Sequence, residues 1–237
     1  MAHDAREENI RGGLDREALE AMVNPRRQAR LREVLSRRSN NPAFVLEDVH
    51  DPHNISAVLR TLEGLGLHRV FVIEATTGFE VNPRVTQGAE KWLDIRRYGS
   101  AEACVKELRD LGYQLLTTRM DARLTLDELD FSRPTAVIMG NEHDGISATL
   151  DALADEAFRI PMDGFSQSFN VSVAAALIAR TAALRVKEHP EWAAPITGEA
   201  LEERYLDYLW LSVNQRDRFG GATDAPTLDP AEDDALK

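Results

Sequence analysis

The apolar positions of this chain follow two different periods, and the two take turns along its length. Short apolar runs bounded by turn residues predict buried strands at Phe44–Val49, Arg69–Ile73, Gln114–Thr118, Ala136–Met139 and Ala157–Ile160. Between them the spacing widens to that of a helix. Ile55, Val58, Leu59, Leu62 and Leu65 predict a helix over Ile55–Leu65, with Asn54 or Ser56 as its cap and Gly66 as its end. Further helices are predicted at Ala101–Leu111, Ser147–Leu153 and Val171–Val186. In the last of these Val171, Ala174, Ala175, Ile178 and Ala182 share a face, and Asn170 has the side chain of an N-cap. Alternating strands and helices predict an α/β fold, a mainly parallel sheet covered by helices on both faces. Outside this core, 1–40 reads as a basic helical arm, 41–188 as the α/β domain, and 189–237 as one more helix (Gly198–Leu211) followed by an acidic, disordered tail.

Three segments place polar residues where a strand runs through a loop into a helix, the position at which α/β proteins hold ligands. The first runs from Val45 to Glu74 and contains DPHNISAVLR, with Arg60 off the apolar stripe. The second is PTAVIMGNEHDGIS, Pro134–Ser147, a strand ending in glycine and then an acidic, glycine-bounded turn. The third is IPMDGFSQSFNVSVAAALIAR, Ile160–Arg180, whose loop offers Ser166, Gln167, Ser168 and Asn170.

In this order the three segments resemble the motifs of the SpoU or TrmH family of the SPOUT superfamily, the knotted RNA 2′-O-ribose methyltransferases. Asn54 and Arg60 fit N-x-x-x-x-x-R; Gly140, Glu142, Gly145 and Ser147 fit G-x-E-x-x-G-x-S; Ile160, Pro161, Met162, Ser168, Asn170 and Ser172 fit I-P-M…S-x-N-V-S. The likeness runs from about Arg26 to Arg185, and the ordered set is far more specific than any one motif. It implies a C-terminal trefoil knot, which ordinary topology rules would argue against. It also implies transfer of a methyl group from S-adenosylmethionine (SAM) to a ribose 2′-oxygen. By resemblance the catalytic set is Arg60, Asn54, Glu142, Ser168 and Asn170, and the cofactor rests against Thr118, Gly140, Ile160, Met162 and Phe169. A guanidinium is a poor base, so two roles stay open for Arg60: proton acceptor, or electrostatic stabiliser of the developing alkoxide that also fixes an RNA phosphate. The chain departs from the family at Phe169, where Leu is usual, and at Asn141, His143 and Asp144.

A nicotinamide-type Rossmann domain is the structural rival, and it fails on one point. It needs a glycine-rich turn after the first strand, where this chain has DVHDPHN and no glycine. His50, His53 and His143 read as loop histidines rather than metal ligands, since no second ligand cluster accompanies them. The single cysteine, Cys104, falls on a helix beside Leu108 as an inert core residue; it rules out an internal disulfide framework and fits a cytoplasmic protein. No apolar run is long enough to span a bilayer, and MAHDAREENIRGG is not a signal peptide.

The formal charge of −12 argues against a polyanionic partner. Its distribution reverses the argument. Arg26–Arg38 holds six arginines and one glutamate, and in TrmH-like proteins such an arm belongs to the RNA-binding surface; Arg26, Arg27, Arg30, Arg37 and Arg38 are the candidates. The segment GAEKW (Gly88–Trp92), the short N-terminal extension and NISAVLRTLEGLG resemble the members that methylate a guanosine in the tRNA D-loop. Ribosomal RNA is the second choice of substrate, and a non-catalytic RNA-binding protein the reading of another class. SpoU-type enzymes are homodimers, and the run Ala174–Ala176 suits an interface built from the Val171–Arg185 and Ile55–Leu65 helices.

Overall fold

The structure is a computed structural model that describes residues 14–76 and 78–218, apart from the side chains of 214–218. The segments MAHDAREENIRGG and GGATDAPTLDPAEDDALK lie outside the described residues. The described residues divide into two compact units, one within 34–198 and the other formed by 14–33 together with 199–218.

The larger unit is the α/β core. Its elements are β1 (Ala43–Glu47), α3 (Pro52–Gly64), β2 (Arg69–Ile73), a one-turn helix α4 (Pro83–Thr86), β3 (Asp94–Tyr98), α5 (Ala101–Asp110), β4 (Gln114–Thr118), β5 (Leu124–Thr125), β6 (Thr135–Met139), α6 (Ala148–Leu153), β7 (Glu156–Arg159) and α7 (Val171–Glu188). The labels α1 and α2 belong to Arg16–Met22 and Pro25–Ser36, which precede them, and α8 to Gly198–Arg218. Among the described residues the sheet has seven strands, all parallel, in the order β3-β2-β1-β6-β4-β7-β5.

The period-two rule decides which side chains go to which face. Phe44 and Leu46 of β1 join Val58, Leu59, Leu62, Val137, Met139, Ala175, Ile178, Ala179 and Ala182 in one core, under α3 and α7. Ala43 and Val45 point the other way, into a second core with Phe71, Cys104, Leu108, Ile138 and Leu150 under α5 and α6. Burial from both sides is what a parallel sheet requires, and it explains the unbroken apolar runs.

The five predicted strands and four predicted core helices are present, within a few residues at their ends. Two strands are additional. β3, with the sequence DIRRY, lies at the sheet edge, and its Arg96 and Arg97 pair with Glu107 and Glu74. Charge at an edge strand guards against stray pairing, and it hides the apolar signal. The start of α3 also differs from expectation. Asp51 caps it, accepting from the His53 amide at 2.8 Å, with Pro52 in the first turn, so Asn54 and Ser56 are inside the helix and their side chains serve elsewhere.

Of the run Ala174–Ala176 on α7, Ala175 faces the core, while Ala174 and Ala176 are half-buried. Ala175, Ala179 and Ala182 are buried within the unit, where small side chains let α3 and α7 approach closely. The exposed apolar stripe of α7 is Val173, Leu177 and Leu184.

In the smaller unit Leu19 and Val23 near α1, Leu31 of α2, and Tyr205, Tyr208 and Leu209 of α8 are buried. Arg32 lies over the Tyr205 ring at 3.8 Å, and Arg16 pairs with Glu20 (3.1 Å) and Glu202 (2.7 Å). α1, most of α2 and α8 fall in this one compact unit.

Candidate active site

The loops that follow β1, β6 and β7 meet at the carboxyl end of the sheet. Gly140 ends β6, and the chain folds back so tightly that a Cβ here would lie 2.0 Å from the carbonyl carbon and oxygen of Gly145. Asn141 and Gly145 close this turn with mutual backbone hydrogen bonds of 3.0 and 3.2 Å. The Asn141 side chain accepts from the amides of His143 (2.9 Å) and Asp144 (2.7 Å). Glycine at 140 is thus a steric necessity, and the turn presents Glu142 toward the start of α3.

Glu142 is the hub of a polar cluster. Its carboxylate accepts from the Asn54 amide at 2.8 Å and from the backbone amides of His50 (3.2 Å) and Asp51 (3.4 Å). Partial burial pushes its carboxyl up, but the Asn54 and backbone hydrogen bonds outweigh that and hold it below the usual 4.5. Asn54 in turn accepts at its oxygen from Asn170 Nδ2 at 3.0 Å. The Asn170 oxygen accepts from Ser172 N at 2.8 Å and Ser172 Oγ at 2.6 Å, so the residue caps α7 and reaches across to α3 with the same amide group. Three segments far apart in sequence are joined by one relay, Asn170 to Asn54 to Glu142. His50 and His143 flank it, their ring centroids 5.9 Å apart.

Arg60 stands apart from this relay. It is six residues beyond Asn54, a rotation that leaves the two side chains about 120° apart around the helix. Its guanidinium is exposed and donates from Nη1 to the carbonyl of Val85, in α4, at 3.1 Å. Ser168 lies in the exposed segment 163–170, together with Phe165 and Phe169. Within the subunit, then, the structure gathers Asn54, Glu142 and Asn170 by hydrogen bonding, holds Arg60 on another face of α3, and leaves Ser168 on the surface.

The residues expected at the cofactor lie on neighbouring strand ends. β6, β4 and β7 are adjacent in the sheet, so Thr118 at the end of β4, Gly140 after β6, and Ile160 and Met162 after β7 open onto the same side. Thr118 stands opposite Phe158 in the register of β4 with β7. Ile160 and Met162 are half-buried, and Phe169 is partly exposed before α7. Backbone polar groups beside a partly open apolar wall suit an adenine ring and its ribose, so these residues fit the expected cofactor.

The five arginines of the arm do not share one fate. Arg26, Arg27, Arg30 and Arg37 are exposed, Arg30 in an ion pair with Glu33 at 2.9 Å. Arg38 is buried, its Nη1 donating to the Glu63 carbonyl at 2.8 Å and its Nη2 to the Glu63 carboxylate at 2.6 Å. A guanidinium closed in this way staples the chain before β1 to α3 and is withdrawn from any phosphate.

Two contributors escaped the sequence reading. Glu47, in the buried strand β1, accepts from the amide of Ser147 at 2.8 Å and fixes the start of α6. A lone carboxylate in an otherwise apolar buried strand was the available signal, because a buried charge must find partners. Asn82 is the other, and no spacing announced it. Among the described residues no group of three or more His, Cys, Asp or Glu is arranged to hold a metal ion, and no helix is long and apolar enough to cross a membrane.

Known proteins are similar to this chain in sequence and in fold. Residues 41–180 match the SpoU rRNA Methylase family. The chain is 38% identical over 157 residues to the tRNA (guanosine(18)-2'-O)-methyltransferase of Escherichia coli K12, a match covering 66% of this chain and 69% of that protein. Its fold is similar to the crystal structure of the Aquifex aeolicus TrmH/SpoU tRNA modifying enzyme, with a TM-score of 0.72 and 29% identity over 79% of this chain and 97% of that one. It is also similar to the SpoU methyltransferase AviRb of Streptomyces viridochromogenes in complex with AdoMet, with a TM-score of 0.56 and 25% identity over 64% of this chain and 62% of that one. The matched residues contain the whole relay and the strand ends around it: the chain belongs to the SpoU rRNA Methylase family.

Proposed function

We propose that this protein methylates the ribose 2′-oxygen of a guanosine in the D-loop of tRNA, using SAM. The observation that carries the reading is the relay of Asn170, Asn54 and Glu142, assembled from three distant segments beside the strand ends Thr118, Gly140 and Ile160. A binding module needs no such construction. The choice of tRNA over ribosomal RNA rests on the similarity to enzymes named for tRNA guanosine methylation.

Bound against Ile160, Met162 and Phe169, SAM supplies an electrophilic methyl group on its sulfonium. The protein's own part is alignment and charge. Holding the ribose oxygen in line with that methyl group can supply a large share of the rate. Asn54 and Asn170 are oriented before substrate arrives, because each amide is engaged at both ends. Glu142 fixes Asn54 and remains an anion at neutral pH. Arg60 acts as a cationic donor: it steadies the negative charge growing on the 2′-oxygen and holds an adjoining phosphate. Ser168 completes the pocket once segment 163–170 closes on its ligands. Arg26, Arg27, Arg30 and Arg37 bind the RNA backbone by charge.

The active form is a homodimer in the cytoplasm. The exposed stripe Val173, Leu177 and Leu184, continuous in sequence with Phe165 and Phe169, supports an interface on the outer face of α7. The placement of Arg60 away from the relay supports a site near that interface. The reading includes a C-terminal trefoil knot, which the neighbouring order of β6, β4 and β7 supports.

Incubating the protein with labelled SAM and either bulk tRNA or ribosomal RNA tests the proposal. Incorporation into tRNA is expected. Tight RNA binding without incorporation into either RNA would leave a binding protein, and incorporation into ribosomal RNA alone would reverse the choice of substrate.

A further inference from the structure

Arg60 is held by a backbone carbonyl, and that carbonyl sits on a turn with its own anchor. α4 is a single turn, too short to hold its place unaided. Its cap, Asn82, attaches it to α3 in two ways. The Asn82 amide N–H donates to the buried Ser56 Oγ at 2.7 Å, and the Asn82 Nδ2 lies 3.1 Å from His53 Nε2. The Asn82 Oδ1 is already committed, accepting from the Arg84 amide at 3.0 Å. Nδ2 must therefore face His53, and since it only donates, His53 Nε2 is the acceptor and the imidazole carries its proton on Nδ1. The Asn82 carbonyl also accepts from the amides of Val85 (2.9 Å) and Thr86 (3.0 Å), so Val85 is held by the same residue that grips α3.

His53, Ser56 and Arg60 lie on one face of α3, three and four residues apart. The turn is clamped to that face at its start through His53 and Ser56, and it returns a carbonyl to Arg60 one turn further along. We infer that Asn82 is a positioning residue for Arg60, acting through α4, and that His53 serves as the acceptor that completes the clamp. This rests on the reading of Arg60 as the residue that stabilises the developing alkoxide.

The clamp sets where the guanidinium sits and adds nothing to the pocket for SAM. Asn82→Ala is expected to lower kcat by about 10- to 100-fold, the scale of a misplaced reacting group. Affinity for SAM should stay within about twofold, because cofactor binding does not use the clamp, and KM for tRNA should rise by less than kcat falls, because the phosphate held by Arg60 is one RNA contact among several. His53→Gln presents a side-chain oxygen to the Asn82 amide and should keep near-parent kcat, whereas His53→Ala should resemble Asn82→Ala. Guanidinium NMR of Arg60 reads its placement without turnover. Faster guanidinium rotation and solvent exchange are expected in Asn82→Ala and His53→Ala but not in His53→Gln. Parent kcat in Asn82→Ala, an unchanged Arg60 signal, or His53→Gln as impaired as His53→Ala overturns the inference. A parent protein that methylates no RNA overturns the functional reading, while the Arg60 signal still decides the clamp.

Discussion

The relay at Glu142 and the segment 163–169 both belong to the expected site, yet they are built in opposite ways. Asn54, Glu142 and Asn170 satisfy one another within the subunit, with each amide oriented by a partner. The segment holding Ser168 and Phe169 is exposed throughout, and the Phe165 side chain is open to solvent. The difference separates two kinds of work. The relay is organised in advance and needs no ligand to take its shape. The segment leaves apolar surface exposed next to the apolar stripe of α7, which under the proposed function cofactor and a second subunit would cover.

The largest expected effect comes from setting the two faces of α7 against each other. Ala175→Glu places an unpaired charge in the packed core between α3 and the sheet and should yield insoluble or unfolded protein, seen as loss of the cooperative thermal transition. Leu177→Glu alters only the exposed stripe and should give folded monomers by light scattering, with little activity. Equal stability and equal mass for the two variants would erase the distinction between the faces.

Next in size is Arg60→Ala, which should reduce turnover by about 10²- to 10³-fold, the cost of losing one oriented charge-stabilising donor. SAM affinity by calorimetry should not change. A matching loss of SAM binding would make Arg60 part of the cofactor pocket.

A smaller effect is expected on the arm proposed to bind RNA. Replacing Arg26, Arg27 and Arg30 with Ala should weaken tRNA binding and flatten its salt dependence, by roughly 0.7–0.9 in the log–log slope for each phosphate no longer neutralised. Adding Arg38→Ala should change stability rather than that slope, because Arg38 is buried on Glu63. An unchanged slope in the triple variant would place the RNA-binding surface elsewhere, with Arg84, Lys91 and Arg119 the next to test.

The smallest effect concerns Glu142 and pH. Its folded-state carboxyl titrates below the ordinary 4.5, so its contribution to stability is present above that value and is lost as pH falls through the lowered one. Glu142→Gln should therefore remove a small part of the acid sensitivity of unfolding below about pH 4.5, read from urea midpoints against pH. Parent-like acid sensitivity would mean that the carboxylate is not held by Asn54 in solution.

Most of the sheet was legible in the sequence because burial on both faces leaves strands that carry little but apolar residues, as in Ala43–Glu47 and Thr135–Met139. β3 was not, since an edge strand with two arginines carries no such run. The family resemblance named the catalytic candidates, and local pattern marked Asn170 as a cap. That pattern misjudged Asn54 and Ser56, because a cap is recognised by residue type, while their real partners, Glu142 and Asn82, come from distant segments. The same limit hid Arg38: a basic cluster reads as one surface until a Glu63 from another helix is brought beside it.

The nature of the methylated product tests the account most directly. After reaction with SAM, tRNA digested to nucleosides and separated by mass spectrometry should contain new 2′-O-methylguanosine, with the mark mapping to a single D-loop position. A methyl group on a base, or on a ribose outside the D-loop, would contradict the proposed alignment of the relay with the D-loop ribose.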